Sequence, residues 1–231
     1  METKLEKIEL SQKLQHLDPR TVKAFIGFDG FVDEVIHVVE TRYSESEYDR
    51  LQLMEDFGSK IVGSAGLSRN FEFVSVQRKA GGNGPNMASS LISCGCELTY
   101  VGALGLPQVD SVFDTISKKA KQVISISDPG FTEAIEFLDG KLICSRLEPL
   151  NAVNAQNIDR LIGKEKLAQL MQENTIIGIE NWTLVNHMTE VWQYILNEVL
   201  PLVKNADDKT LFFDLCDPEK RSNEDILTAL E

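Results

Sequence analysis

The sequence predicts an α/β fold with a central, mostly parallel sheet, flanking helices and extra strands at one edge. Short apolar runs alternate with segments of helical spacing, the pattern of parallel strands joined by crossover helices. Several of these runs stop at Asp, Glu or Gly, at the strand ends where open α/β sheets bind their ligands. One stretch, from Ala134 to Cys144, reads instead as a hairpin turning on Asp139-Gly140, so part of the strand content is antiparallel.

In chain order, Leu5, Ile8, Leu14 and Leu17 form the apolar positions of a charged first helix, closed by Asp18-Pro19. Val22 to Phe28 is a strong strand broken by Asp29-Gly30, and Val35 to Val39 is a second strand. Tyr48, Leu51, Met54, Phe57 and Ile61 recur at helical spacing, and Ser44 with Glu47 matches a capping box, which predicts a helix over 44–61. Gly63 to Asn70 is a loop, and Phe71 to Val76 a strand. A helix follows over 87–93, a strand over 97–101, a helix over 110–119 and a strand over 122–126. After the hairpin, 163–173 is helical and 175–179 a strand. Leu184, Met188, Val191, Trp192, Ile195, Leu196 and Val199 make a helical apolar stripe of the kind that packs into a core. Lys209 to Leu215 is one more strand, and Asn223 is placed to cap a final helix over 224–231.

Composition narrows the partners. The chain has 231 residues, 42% of them hydrophobic, and a formal net charge of −13. That field repels nucleic acids and anionic membrane surfaces. Neither a signal-type apolar core near the start nor an apolar run of membrane-spanning length is present, so the expected compartment is cytoplasmic. Cys94 and Cys96 are too close for an easy disulfide, and with Cys144 and Cys216 they complete no zinc set. Reduced and mostly buried thiols are expected. His16, His37 and His187 are scattered, and no metal site is expected.

Two features hold the chemistry. Lys79-Ala80-Gly81-Gly82-Asn83-Gly84-Pro85-Asn86 joins a strand to a helix, with glycines that allow φ > 0 and close approach, and a proline suited to a helix's first turn. Taken alone, this loop fits either a tight connection or a cradle in which free N–H groups meet an anion or polar ligand. Asp29 and Asp33 lie at or just past the end of the first strand, either as solvated turn carboxylates or as ligand acceptors.

The order Gly27-Phe28-Asp29-Gly30-Phe31-Val32-Asp33, then Gly81-Gly82-Asn83-Gly84-Pro85-Asn86, then Val101-Gly102-Ala103-Leu104-Gly105 resembles the ribokinase-like (PfkB) carbohydrate kinases. The strand pair around Asp139-Gly140-Lys141, Asn181-Trp182 after a strand, and Phe213-Asp214-Leu215-Cys216-Asp217-Pro218-Glu219-Lys220-Arg221 agree with it, from Val22 onward. The resemblance implies ATP- and Mg²⁺-dependent phosphorylation of a sugar hydroxyl on a Rossmann-like ribokinase fold. It also implies a small β-lid, with strands drawn from about 34–40, 71–77 and 132–145. Asp33 matches the family's strand-end aspartate, with Asp29 a second candidate, and both would accept from sugar hydroxyls. Gly81, Gly82 and Asn86 match its Gly-Gly-x-x-x-Asn element. Asn83 stands where many members have another polar residue, and Glu180 or Asn181 would face the same crevice. Asp217 and Arg221 are secondary candidates, because Glu219 replaces the usual Asn of that element. A homodimer through the lid strands is also implied.

The family's Gly-Ala-Gly-Asp signature, source of its anion hole and catalytic base, does not occur in these residues, nor does its Asn-x-x-Glu element. The expectation is therefore an incomplete ribokinase-like domain over 1–231. It would carry the sugar side and lack the C-terminal ATP-binding part. It would be inactive by itself and bind neither ATP nor Mg²⁺ well. A non-catalytic sugar-binding or regulatory module of the same fold, and a nucleoside kinase, are the alternatives. A dinucleotide-binding oxidoreductase fits less, since the glycine loop is not G-x-G-x-x-G opening the first βαβ unit.

Overall fold

Apolar residues facing both ways along β1 (Lys23–Phe28) make it the centre of the molecule, since only a strand covered on both faces buries such a run. The computed structural model describes residues 18–230, so the expected first helix over Leu5–Leu17 lies outside the described residues. β1 pairs in parallel with β5 (Glu97–Ala103) on one side and β9 (Ile176–Ile179) on the other. β6 (Gln122–Ser127) and β10 (Thr210–Phe213) complete a parallel sheet in the order β10-β9-β1-β5-β6. The faces divide by alternation. Ala24, Ile26, Leu98 and Tyr100 pack toward α2 (Asn83–Cys94) and α3 (Asp114–Lys119). Phe25, Phe28, Val101 and Ile177 pack toward α4 (Ala155–Leu161), α5 (Lys164–Gln172) and α6 (Met188–Tyr194). Each such side chain contributes about 1.5–3 kcal/mol of burial.

The long strand β2 (Phe31–Arg42) leaves this sheet and organises a second one. It pairs antiparallel with β3 (Tyr48–Arg50) and β4 (Phe73–Gly81), and parallel with β7 (Gly130–Glu136), which pairs antiparallel with β8 (Lys141–Arg146). Ile36, Val38, Ile135 and Phe137 bury one face against Phe57 of α1 (Met54–Val62). The stretches 34–40, 71–77 and 132–145 thus contribute to one sheet, and the Asp139-Gly140 hairpin forms as expected.

Four local readings are corrected, the first two of them by tertiary contacts. The helix expected over 44–61 begins only at Met54. Ser44 Oγ does accept the Glu47 N–H at 3.0 Å, but that turn reverses the chain so that Tyr48–Arg50 pairs with the edge of β2. The helix expected over 87–93 starts at Asn83, because its first N–H groups are capped by the distant Asp29 rather than by a local side chain. α4 was not expected, although Asn154 caps it by accepting the Asn157 N–H at 2.8 Å. In the final helix α7 (Asn223–Leu230) Ser222, not Asn223, accepts the Asp225 N–H at 3.1 Å. The thiols are free, as expected, but not mostly buried: Cys94, Cys144 and Cys216 are exposed and Cys96 is half-buried. No helix among the described residues is long and apolar enough to cross a membrane.

β1, β2 and β5 meet tightly at Gly30, where an added Cβ would lie 2.0 Å from the Ala103 carbonyl oxygen. Backbone stands on both sides of that clash, so Gly30→Ala should lower unfolding free energy in urea by about 1–3 kcal/mol or more. An unchanged midpoint would show that the two sheets can part at this junction.

Candidate functional site

The carboxyl ends of β1, β9 and β10 bring Asp29, Glu180 and Asp214 into one group. Asp29 is fully buried, and both oxygens of its carboxylate accept hydrogen bonds. Oδ2 accepts the Asn83 N–H at 3.0 Å and the Asn181 Nδ2 at 2.8 Å, and Oδ1 accepts the Gly84 N–H at 2.9 Å. Its backbone carbonyl accepts from the Tyr100 hydroxyl at 2.8 Å. Burial pushes the Asp29 carboxyl up to about 6, against the opposing pull of the Asn181 amide and the two N–H groups. Asp214 Oδ2 accepts from Asn83 Nδ2 at 2.5 Å and from the Asn181 N–H at 3.0 Å, and its Oδ1 from the Cys216 N–H at 3.0 Å. Asn181, at φ 66°, turns both its side chain and its N–H toward this pair of acids.

Glu180 differs from both. It is 2% exposed, and its Oε1 has no hydrogen-bond partner among the described residues. Burial, then the charges of Asp214 and Asp29, push its carboxyl up to about 8, so it is mostly protonated at neutral pH.

Asp33 lies across the glycine turn from this group, on β2. An added Cβ on Gly81 would fall 2.3 Å from the Asp33 carboxyl, and one on Gly82 would fall 2.8 Å from Asp29 Oδ2. The two glycines therefore run between two carboxylates, with Gly82 at φ 96° as the one residue between β4 and α2. Asp33 is half-buried. Burial raises its carboxyl, while the Lys79 charge and the neighbouring Thr132 hydroxyl hold it down.

The family model for prokaryotic ketohexokinases matches residues 8–231. The chain belongs to this family. A ketohexokinase of Haloferax volcanii is 26% identical over 211 residues, covering 90% of this chain and 56% of that protein. Among solved structures, a fructokinase from Xylella fastidiosa superimposes with a TM-score of 0.57 at 12% identity, over 93% of this chain and 57% of that one. The same fructokinase has also been solved with bound ATP. A ribokinase from Giardia lamblia gives a TM-score of 0.56 at 14% identity, over 91% and 55%. These two likenesses show the ribokinase fold. The chain spans a little over half the length of the relatives it matches.

The ketohexokinase-family chain thus gathers most of the expected residues in one place, but with unequal access. Gly82, Asn83, Asn181 and Glu180 surround Asp29, and Gly81 lies against Asp33. Asp29 is fully buried with three donors on its carboxylate, whereas Asp33 is half-buried. Asn86 is exposed in the first turn of α2, where its N–H bonds the Gly82 carbonyl at 3.2 Å. Arg221 is turned inward. Its guanidinium donates to the carbonyls of Trp182, Thr183 and Val185 at 3.0–3.1 Å and lies 4.9 Å from the Trp182 ring centroid, a clamp on the turn after β9. Asp217 is exposed beside Lys220. Sequence reasoning assigned no role to Asp214 or Lys79. Asp214 carries the same strand-end signal as Asp29, whereas Lys79 is identified only by the pairing of β4 with β2.

The backbone donors at the glycine turn do not fit a nucleotide phosphate. The N–H groups of Asn83 and Gly84, which an anion would use, already donate to Asp29. Among the described residues no group of three His, Cys, Asp or Glu side chains is placed to hold a metal ion.

A carboxyl held above its unfolded value binds its proton more tightly in the native state, so its contribution to stability is full below about 4.5 and is lost as pH rises through about 8. Urea unfolding at several pH values should show Glu180→Gln flattening the fall in stability between pH 5 and 8 relative to wild type. Parallel pH profiles for the two proteins would mean that the native Glu180 carboxyl titrates normally.

Proposed function

We propose that this chain carries the sugar-binding side of an ATP-dependent ketohexose kinase, with Asp33 as the principal acceptor for the sugar's hydroxyls. The observation that carries this reading is the seating of the Asp33 carboxylate on Gly81, at the junction of the second sheet with the strand ends. A carboxylate is an acceptor with two oxygens and suits a polyol. A glycine beneath it lets the ligand and the carboxylate share a space that a Cβ would fill. Glu180, protonated and lacking a partner, supports the same reading, since a buried polar atom of this kind needs a donor or acceptor from outside the described residues.

In this reading the second sheet is the lid, which closes over the bound sugar and excludes water. ATP supplies the γ-phosphoryl group with Mg²⁺ as its companion ion. Phosphoryl transfer depends on positioning and on neutralising charge, which in this family falls to the Gly-Ala-Gly-Asp element. Because that element is not among these 231 residues, the chain binds the sugar and does not by itself transfer phosphate. Phe73 and Val76 on β4, and Leu142 and Ile143 on β8, are exposed apolar residues on the outer strands and support a homodimer through the lid. The cytoplasm is the compartment that fits such an enzyme.

Titration calorimetry with fructose should give a measurable affinity for the 231-residue chain. Asp33→Asn should weaken it by roughly 10-fold or more, the effect of losing a hydrogen bond to a charged group. Gly81→Ala should do the same by displacing the carboxylate, with circular dichroism unchanged in both variants. Equal affinity in wild type and Asp33→Asn removes Asp33 from the site. Steady ADP production by this chain with ATP and fructose would contradict the assignment of the transfer machinery to residues outside it.

A further inference from the structure

Asp33 is not isolated on its face of the second sheet. Strand register sets Lys79 of β4 directly opposite it on one side and Thr132 of β7 on the other, with Ser145 of β8 opposite Thr132 in turn. Partners in register share a face. Four polar side chains therefore form one row across four strands, Lys79, Asp33, Thr132 and Ser145, with Thr132 Oγ1 and Ser145 Oγ 3.3 Å apart.

Directly opposed residues carry their Cβ atoms about 4.5–5.5 Å apart, near enough for a lysine to close on a carboxylate. The neighbouring Arg78, pointing to the other face, does find acids: Asp110 at 2.8 Å and Glu34 at 3.9 Å. Lys79 forms no ion pair among the described residues. Asp33 leans instead over Gly81, and the Lys79 charge still acts on it across the gap. An acceptor-only group and a donor-only group thus stand side by side, unjoined, at the proposed sugar site.

We propose that Lys79 is a specificity-determining residue of that site. Its ammonium donates to the oxygen of a sugar hydroxyl vicinal to the hydroxyl that donates to Asp33, so that the two residues together read a vicinal diol. A hydroxyl both donates and accepts, so two adjacent ones satisfy the pair, whereas a deoxy sugar leaves one charged group unmatched. The Thr132 hydroxyl, on the far side of Asp33, steadies the carboxylate. This inference rests on the reading of Asp33 as the sugar acceptor.

The test is calorimetric titration of the 231-residue protein with fructose and with each of its monodeoxy analogues, for wild type, Lys79→Met, Lys79→Arg and Asp33→Asn. Lys79 is exposed, so its replacement leaves the fold intact. Lys79→Met is expected to weaken fructose binding by roughly 10- to 100-fold, the span of one hydrogen bond to a charged group. It should also erase discrimination against one particular deoxy analogue, a different one from that whose discrimination Asp33→Asn erases, and Lys79→Arg should restore part of both. If Asp33→Asn abolishes binding while Lys79→Met matches wild type for every sugar, the role of Lys79 is overturned and the Asp33 site stands. If wild type does not bind fructose, or Asp33→Asn binds it equally well, the site reading itself falls and Lys79 with it. A Lys79→Met protein altered only in self-association, seen by sedimentation, would make the lysine a guard of the β4 edge and would likewise overturn the proposal.

Discussion

The buried carboxylate of Asp29 joins parts of the chain that local structure would leave separate. It sits just beyond the central strand, takes the first two N–H groups of α2 and accepts the amide of Asn181 beyond β9. Its backbone carbonyl is held by Tyr100 of β5. A charge is costly to bury unless its lone pairs are met. Here three donors meet it, so the strand end, the helix start and the turn after β9 can exist together only in this arrangement. The glycines at 82 and 84 are required by the same contact, because a Cβ at either would fall within 3 Å of an Asp29 oxygen.

Three acids at adjacent strand ends have different surroundings. Asp29 and Asp214 are surrounded by N–H donors and share Asn83 and Asn181 as bridges. Glu180 lies within the field of both without a donor of its own, and burial favours its proton. Asp33 stays apart from this group, separated from Asp29 by the Gly81-Gly82 backbone. The result is a hydrogen-bonded cluster around the buried Asp29 on one side of the turn and the half-buried Asp33 on the other. The proposed sugar-binding reading draws on that division, with a ligand at Asp33 leaving untouched the cluster that holds the glycine turn in place.

Much of the architecture was legible in the chain. The apolar run before Asp29, the alternation of Glu97–Val101 and the Asp139-Gly140 turn each specify their element by local patterning, and the strand-end positions of Asp29 and Glu180 mark the crevice. Asp33, expected at or just past the first strand, lies instead inside β2, because that strand begins at Phe31. Local reasoning failed where a long-range contact won. Tyr48 and Leu51 fit a helix stripe equally well, but the open edge of β2 claimed Tyr48–Arg50 as a strand. The start of α2 carried no local cap because its cap lies more than fifty residues earlier in the sequence. Arg221, a candidate by motif, donates to three carbonyls of the turn after β9, contacts no local pattern announces.

By itself, then, the sequence determined the fold class, the order of the strands' apolar faces and the set of acids and glycines from which a site is made. These follow from periodicity and side-chain chemistry, which act over a few residues. Only the tertiary structure decided how those acids divide between roles. How a carboxylate is held depends on which N–H groups reach it from other strands, and Asp29 and Asp33, four residues apart, differ: the first is fully buried among three donors, the second half-buried. The same holds for Lys79, whose place beside Asp33 exists only through the pairing of β4 with β2.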